Sequence, residues 1–336
     1  MTFLTNTGVR AAISVLLLSG AVAYLVMRDQ CCSMDSSLLV ATLAIQPVNL
    51  LVIATVGWRF VLLARPPRPG AWSSLKASML ATGLNVLVPA RGGDLIRLTY
   101  LRQREGTPIE TGVSISVIER VADLVVLSTM AIVVGSLVLQ SAVVVPVLAI
   151  SALGAGLILL TILLPLWLTI LRNFFPASIA TFLASVFTET AARVRDGKIF
   201  IALAASILFM GLGLLVTWIF FRIATESEFS WTLAAMVLVF ASLGGAVPML
   251  PGGVATFEAG VIVALLYGGY SANEALKLAV VYRLQQYMLA TPLALLIATR
   301  ERIGLSAMLS DLLRHFFRWR AATAPEPPAA SEDEKR

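Results

Sequence analysis

The stretch that decides the fold is Pro89-Ala90-Arg91-Gly92-Gly93-Asp94, which is followed by the charged run Glu119-Arg120-Val121-Ala122-Asp123. The first is a glycine-rich break between apolar segments, and the second lies inside an apolar segment. A charged side chain near the centre of a bilayer costs about 2.5–3.5 kcal/mol on insertion scales. Glu119, Arg120 and Asp123 must therefore pair with charged partners or face a polar cavity, so the sequence predicts a functional site here.

The composition predicts an all-α polytopic membrane protein. Of the 336 residues, 58% are hydrophobic and only 13% are charged, with a mean hydropathy of +0.89. A soluble domain has about 25% charged residues. The apolar runs are continuous over bilayer-spanning lengths, whereas the strands of a barrel would alternate. The net charge of +6 comes from basic residues in the connections, where they set orientation, so we expect no nucleic acid partner.

The chain offers few ligands for a metal ion or a disulfide framework. Its two cysteines, Cys31 and Cys32, are adjacent, and His315 is its only histidine. Zinc sites and disulfide frameworks need more of these residues. We therefore expect no metal site and no cofactor.

Hydropathy predicts about six spans and two pairs of short helices. The spans are residues 9–27, 38–63, 109–139, 143–171, 199–222 and 275–299, and the short pairs are 74–88 with 95–105 and 231–246 with 254–269. Two half-length limbs around a glycine-rich break are typical of a re-entrant hairpin, which enters and leaves the membrane on one face.

The sequence contains an internal repeat. The break at 89–93 corresponds to Pro251-Gly252-Gly253, and Gly106 stands fourteen residues before Arg120 just as Gly269 stands fourteen before Arg283. Each unit would contain three crossings, and an odd number requires the second unit to be inverted relative to the first. The predicted halves are residues 1–139 and 140–300.

Basic residues predict the orientation of this arrangement. One side receives most of the lysines and arginines, whereas the other receives only Arg28, Arg222 and Lys277. The basic side is cytoplasmic. Both termini are therefore expected on the cytoplasmic side of a bacterial plasma (inner) membrane. The first hairpin would enter the membrane from the cytoplasm and the second from outside. Residues 301–320 are predicted to form an interfacial amphipathic helix, and residues 321–336 a disordered tail.

The buried charges indicate a site for phosphate. Arg120 and Asp123 are three residues apart and can pair on one helix face. Glu119 would then need a donor, for which Arg91 and Arg283 are candidates. Arg91 and Arg97 flank the break at Gly92-Gly93, where a new helix starts, and a helix N-terminus with added positive charge suits a phosphate.

Other roles for these charges stay open. Asp94 is expected to be an N-cap, and Glu258 either a carboxylate near a helix start or a proton-coupling group. The whole set could instead be a structural ion-pair network that locks the helices. The break does not fit the Walker pattern, because it lacks the Gly-Lys-Ser/Thr ending. The predicted substrate-binding residues are Arg91, Gly92, Gly93, Arg97, Glu119, Arg120, Asp123, Gly252, Gly253, Glu258 and Arg283.

These motifs together resemble the integral membrane domain of lysylphosphatidylglycerol synthase-type, flippase-like proteins. The resemblance covers about residues 8–300 and is carried by residues 89–94, residues 119–123, and Pro251-Gly252-Gly253 with Glu258. It implies two inverted repeats with re-entrant helices and, in fused members, movement of an aminoacylated phospholipid between leaflets. This sequence lacks their soluble aminoacyl-transferase domain, so we expect lipid handling here rather than lysyl transfer.

Three functions are consistent with the sequence. The first is a flippase-like translocase that moves an anionic phospholipid or lipid-linked headgroup between leaflets. The second is a membrane-embedded transferase or phosphatase on a lipid-linked phosphate, with Glu119 and Asp123 as acid and base. The third is an accessory scaffold for a lipid-modifying enzyme. The expected partners are the membrane and an anionic lipid or lipid-linked headgroup. The expected protein partner is a second copy of the chain or a lipid-modifying enzyme.

Overall fold

The computed structural model describes residues 36–85, 92–138, 177–246, 256–301 and 303, and this part of the chain is helical throughout its regular structure. The helices, in chain order, are α1 Ser36–Ala44, α2 Gln46–Leu63, α3 Ala71–Leu84, α4 Gly93–Glu105, α5 Ile109–Val138, α6 Ala177–Arg195, α7 Lys198–Ala224, α8 Trp231–Ala246, α9 Thr256–Tyr267, α10 Ala272–Met288 and α11 Ala290–Arg300. The spans predicted at 9–27 and 143–171 and the tail at 321–336 lie outside the described residues, as does all but the start of the segment 301–320.

Two helices of the described part are long and apolar enough to cross a membrane. They are Ser36–Leu63, which joins α1 and α2, and Lys198–Ala224, which is α7. The first breaks briefly at Ile45, because Pro47 stands in the first turn of α2 and has no N–H to continue the ladder of α1. These helices agree with the spans predicted at 38–63 and 199–222.

Two pairs of short helices are found where the sequence predicts the hairpins. The limbs of the first are α3 with 14 residues and α4 with 13, and those of the second are α8 with 16 and α9 with 12. At 1.5 Å per residue each limb is about 18–24 Å long, which is less than the ~30 Å hydrocarbon core. Within each pair the two limbs pack against each other.

Glycines allow this close packing. A Cβ on Gly93 would lie 2.1 Å from the carbonyl oxygen of Ala81 across the first pair, and one on Gly244 would lie 2.0 Å from that of Thr256 across the second. Only glycine fits such distances. Gly93 N also donates to Asn85 Oδ1 at 2.9 Å, which ties the start of α4 to the end of α3.

The last predicted span, 275–299, is divided into α10 and α11 at Leu289. Pro292 in the first turn of α11 explains the division, because proline cannot donate to the carbonyl four residues earlier. α10 starts with a capping box, in which Ser271 and Glu274 satisfy each other's backbone N–H groups.

Helices of one predicted half pack against helices of the other. α11 lies against α3, where a Cβ on Gly83 would be 2.2 Å from the carbonyl oxygen of Ala290. α1 in turn packs against α7 and α10. One buried apolar cluster contains residues of α2 to α5 with Ala294 and Ala298 of α11, and a second contains residues of α1 and α7 to α10.

Candidate functional site

Arg59 of α2 is the centre of a buried ion-pair network. Its Nη1 and Nη2 donate to the two carboxylate oxygens of Asp123, at 2.6 and 3.2 Å, and its Nε donates to Glu119 Oε1 at 3.2 Å. Ser206 Oγ of α7 accepts from Arg59 at 3.0 Å and donates to Asp123 at 2.7 Å. Three helices therefore meet at one guanidinium group, which is 4% exposed.

Arg97 of α4 holds the other side of Glu119. Its Nη2 donates to Glu119 Oε2 at 2.8 Å and to Ser116 Oγ at 3.0 Å, and its guanidinium lies 5.1 Å from the ring centre of Phe60. Glu119 therefore lies between two arginines, and the network joins α2, α4 and α5. Arg97 Nε is buried and donates to no atom of the described chain.

Arg120 pairs differently from the sequence expectation. It does not pair with Asp123, because the bidentate contact from Arg59 occupies that carboxylate. Arg120 Nη2 instead donates to Asp94 Oδ2 at 2.5 Å, and its side chain is about half exposed. The N-cap of α4 is Gly92, so the prediction that Asp94 is the N-cap was wrong. Asp94 lies in the first turn of α4, where its negative charge interacts favourably with the positive end of the helix dipole.

Arg59 was not among the residues predicted from the sequence. It is the only charged residue between Ser36 and Leu63, and a lone arginine in an apolar span requires a buried partner. That signal could have identified it. The donors to Glu119 are consequently Arg59 and Arg97, so the contact expected from Arg283 is not made.

Arg283 of α10 lies in a separate polar group. Its Nε is 3.7 Å from Glu258 Oε1, and its guanidinium lies 4.2 Å from the ring centre of Phe257 and 5.0 Å from that of Tyr287. Glu258 is in the first turn of α9, as predicted for a carboxylate near a helix start. Arg91, Gly252 and Gly253 lie outside the described residues.

A cavity of about 350 Å³ connects the network with neutral polar groups. Its charged side chains are Asp94, Arg97, Glu119, Arg120 and Asp123, together with Arg59. Its other polar lining includes Asn49, Asn85, Ser242, Tyr282, Gln285 and Gln286, and the rest is mostly apolar. Neither Glu258 nor Arg283 lines it.

The charges in this lining are balanced. Three arginines face three carboxylates, and every one of the six takes part in an ion pair. Within the described ranges no three histidine, cysteine, aspartate or glutamate side chains come together as a metal site would need. Both carboxylates that an acid–base enzyme would use accept hydrogen bonds from Arg59.

Positions that correspond in the predicted repeat contribute to the cavity. Glu119, Arg120 and Asp123 stand thirteen, fourteen and seventeen residues after Gly106, and the same distances after Gly269 fall on Tyr282, Arg283 and Gln286. Gly106 and Gly269 both have positive φ, at 67° and 87°, and both follow the second limb of a hairpin. Five of these six side chains line the same cavity, and Arg283 is the exception. Two of the matched positions contribute a charged and a neutral side chain each: 119 with 282, and 123 with 286.

Comparison with known proteins identifies the family. The model of the lysylphosphatidylglycerol synthase TM region matches residues 9–294, which is most of the chain. No curated protein and no solved structure matches the sequence. The match covers α1 to α10, the start of α11 and every residue of the ion-pair network. The chain therefore belongs to the lysylphosphatidylglycerol synthase TM region family, whose members are membrane proteins linked to lipid metabolism.

Proposed function

We propose that this protein is a flippase-like lipid translocase of the bacterial inner membrane, whose central cavity takes the headgroup of an anionic phospholipid or lipid-linked phosphate. The observation that carries the proposal is the cavity of about 350 Å³, lined by three arginines, among otherwise apolar helices. Such a cavity lets a charged headgroup cross at low cost while the acyl chains stay in the bilayer.

Arg97 is the proposed first contact of the phosphate. It is 2% exposed and lines the cavity, and its Nε is directed at no acceptor of the described residues. It also lies in the first turns of α4, whose N-terminus favours an anion. Like Arg59 and Arg120, Arg97 has a carboxylate partner, but its Nε remains available to a phosphate oxygen.

The short helix pairs support alternating access. If α3 with α4 and α8 with α9 are re-entrant hairpins of opposite orientation, each closes the cavity towards one leaflet. Inverted repeats then allow the cavity to open to either face by rocking. Arg91, Gly252 and Gly253 stay predicted contacts at the two breaks, and Glu258 with Arg283 is assigned to holding the second hairpin rather than to the headgroup.

Reconstitution tests this function. The purified full chain is placed in phosphatidylcholine vesicles that contain a trace of headgroup-labelled fluorescent phosphatidylglycerol, and dithionite is added outside to bleach the outer leaflet. We expect the inner-leaflet label to become accessible only in vesicles with protein, and much more slowly with Arg97→Gln. Arg65→Gln removes a half-exposed arginine that does not line the cavity and should leave the rate unchanged. Label movement that is equal for Arg97→Gln and the wild type would contradict the proposal.

A further inference from the structure

A second buried arginine, Arg193 of α6, joins the end of α2 to α5. Its side chain is 1% exposed. Its Nε donates to the backbone carbonyl oxygen of Leu63, the last residue of α2, at 3.3 Å. Its Nη1 donates to Ser114 Oγ of α5 at 2.9 Å and pairs with Glu189, one turn earlier on α6. One guanidinium group therefore contacts three helices.

The contact with Leu63 satisfies part of the C-terminal end of α2. The last carbonyl groups of a helix have no partner within it, and a cation near them is favourable. The last turn of α2 contains no basic residue of its own. Arg193 donates to one of these carbonyls, and Lys198 Nζ at the start of α7 donates to the carbonyl oxygen of Leu62 at 2.6 Å. The end of α2 is thus held from α6 and α7.

The Arg193 bridge lies about one helical turn from the pairs of Arg59. Leu63 follows Arg59 by four residues on α2, which is about 6 Å along the axis. Ser114 precedes Glu119 by five residues on α5, which is about 7.5 Å. Otherwise α2 packs mainly against α3 and α7, and α5 mainly against α6 and α7. Arg59 and Arg193 therefore connect α2 with α5 at two neighbouring levels.

Two such bridges fix α2 more firmly than one. A single ion pair lets α2 pivot relative to α5, whereas a second contact one turn away restricts that motion. Arg59 needs a fixed position, because it makes a bidentate contact with Asp123 and a third hydrogen bond to Glu119, and hydrogen bonds weaken steeply as their angles change. Arg193 does not line the cavity, so its effect there passes through Arg59.

We propose that Arg193 is a positioning residue for the cavity, which holds the end of α2 against α5 so that Arg59 keeps both carboxylates paired. Without it, Arg59 would withdraw from Glu119 and leave that carboxylate to Arg97 alone. Arg97 would then be held more strongly and would be less available to a phosphate. The consequence for lipid movement rests on the proposed function, whereas the coupling between the two bridges does not.

A double-mutant cycle on the full chain in mixed detergent micelles tests this coupling. The unfolding equilibrium constant is measured for the wild type, Arg59→Met, Arg193→Met and the double variant. Because Arg59 pairs poorly once Arg193 is removed, we expect Arg59→Met to raise the constant by a factor at least about fivefold smaller in Arg193→Met protein than in the wild type. Independent sites would give the same factor in both backgrounds within about twofold, and that result would overturn the proposal.

Thr190→Val is the matched control. Thr190 Oγ1 donates to the same Ser114 Oγ at 3.0 Å from the same helix, but within the described ranges it has no hydrogen bond to α2. Thr190→Val should leave the effect of Arg59→Met unchanged. Ser114→Ala removes the α5 end of the bridge and keeps the test valid if Arg193→Met does not fold. It should reduce the effect of Arg59→Met as Arg193→Met does, and equal behaviour of Ser114→Ala and Thr190→Val would contradict the bridge.

Lipid movement in the dithionite assay separates this inference from the proposed function. Arg193→Met should slow the labelled phosphatidylglycerol several-fold, and Thr190→Val should not. Movement at the wild-type rate in Arg193→Met, while Arg97→Gln is slow, would overturn the positioning role and leave the proposed function intact. Unchanged movement in Arg97→Gln would instead contradict the proposed function, and the double-mutant cycle would still decide whether Arg193 positions Arg59.

Discussion

The first predicted hairpin, α3 with α4, and the second, α8 with α9, bring their limbs together in the same way. Each places a glycine against the backbone of the opposite limb, and each starts its second limb with a carboxylate that faces an arginine of the following helix. In the first hairpin Asp94 and Arg120 are 2.5 Å apart, and in the second Glu258 and Arg283 are 3.7 Å apart. The arginines stand at equal distances from Gly106 and Gly269.

The hairpins differ in the residues beside these arginines. Next to Arg120 stand Glu119 and Asp123, which require the second and third arginines of the network. At the equal positions next to Arg283 stand Tyr282 and Gln286, which need no counter-ion. The packing within each helix pair thus depends on features that both pairs share, whereas the chemistry of the cavity depends on positions one and three residues away from the corresponding arginine.

The largest expected difference between the two predicted halves concerns the loss of an arginine. Arg59→Met would leave Glu119 and Asp123 buried with one cation fewer, and breaking a buried pair on one side costs about 3–5 kcal/mol. Arg283→Met removes a cation that faces one carboxylate and two aromatic rings, so we expect a smaller loss. The measurement is the free energy of unfolding in mixed detergent micelles.

A matched variant distinguishes lost charge balance from lost packing. Arg59→Met combined with Glu119→Gln and Asp123→Asn removes the carboxylates that the single variant leaves unpaired. We expect the triple variant to regain a large part of the lost stability. Equal losses for Arg59→Met and Arg283→Met would contradict this expectation, because they would show that the surroundings of both arginines tolerate an unpaired buried charge alike.

The next effect should be the same in both hairpins. A Cβ on Gly93 or Gly244 would lie about 2 Å from a backbone carbonyl oxygen of the opposite limb. The limbs must therefore separate in Gly93→Ala and in Gly244→Ala, and overpacking of this kind costs about 1–3 kcal/mol. Thermal denaturation in detergent should show a lower midpoint for both variants.

Gly245→Ala is the control for these glycines. It adds the same methyl group to the same helix, but its nearest neighbour is a ring carbon of Phe257 at 3.5 Å, an ordinary contact distance. Alanine also favours a helix more than glycine does. Gly245→Ala should thus be neutral or stabilising, and a loss as large as that of Gly244→Ala would mean that limb contact does not explain the effect.

The sequence predicted the helices well because each of them has a local signal. The apolar lengths predicted α2, α7 and the four short helices α3, α4, α8 and α9. The division at Leu289 also had a local signal in Pro292, which an assignment based on hydropathy alone overlooks.

The partners of the buried charges had no local signal. Helical spacing shows which side chains share a face, and on that basis Arg120 was paired with Asp123. Arg59 reaches Asp123 and Glu119 from 64 and 60 residues away in the sequence, and only the packing of α2 against neighbouring helices decides that contact. Spacing within one helix cannot rank such a partner against a nearer one.

The smallest expected difference concerns the ends of the two helix pairs that lie away from the glycine-rich breaks, where a carboxylate contact is present. Glu301, which follows α11, accepts from Lys76 Nζ of α3 at 2.5 Å and from Tyr100 Oη of α4 at 2.8 Å, and so ties α3 and α4 to the end of α11. At the second hairpin, Glu274 forms a capping box with Ser271, which is local to α10. Among the described residues, a carboxylate distant in sequence therefore contacts this end of the first helix pair but not of the second.

Acid should weaken this contact at the first hairpin. Burial favours the neutral form of Glu301, but the hydrogen bonds from Lys76 and Tyr100 outweigh it and lower the pKa of the carboxyl below its usual value. A lowered pKa in the folded protein means that the contact stabilises fully above the ordinary carboxyl pKa of about 4.3 and is lost as the pH falls through the lower, folded value. Hydrogen exchange at the start of α3, corrected for its intrinsic pH dependence, should accelerate a few-fold over that range, because a partly exposed ion pair is worth about 1 kcal/mol or less.

In Glu301→Gln the exchange should be faster already at neutral pH and show no further acid step. An acid step that survives in this variant would assign the titration to another carboxylate.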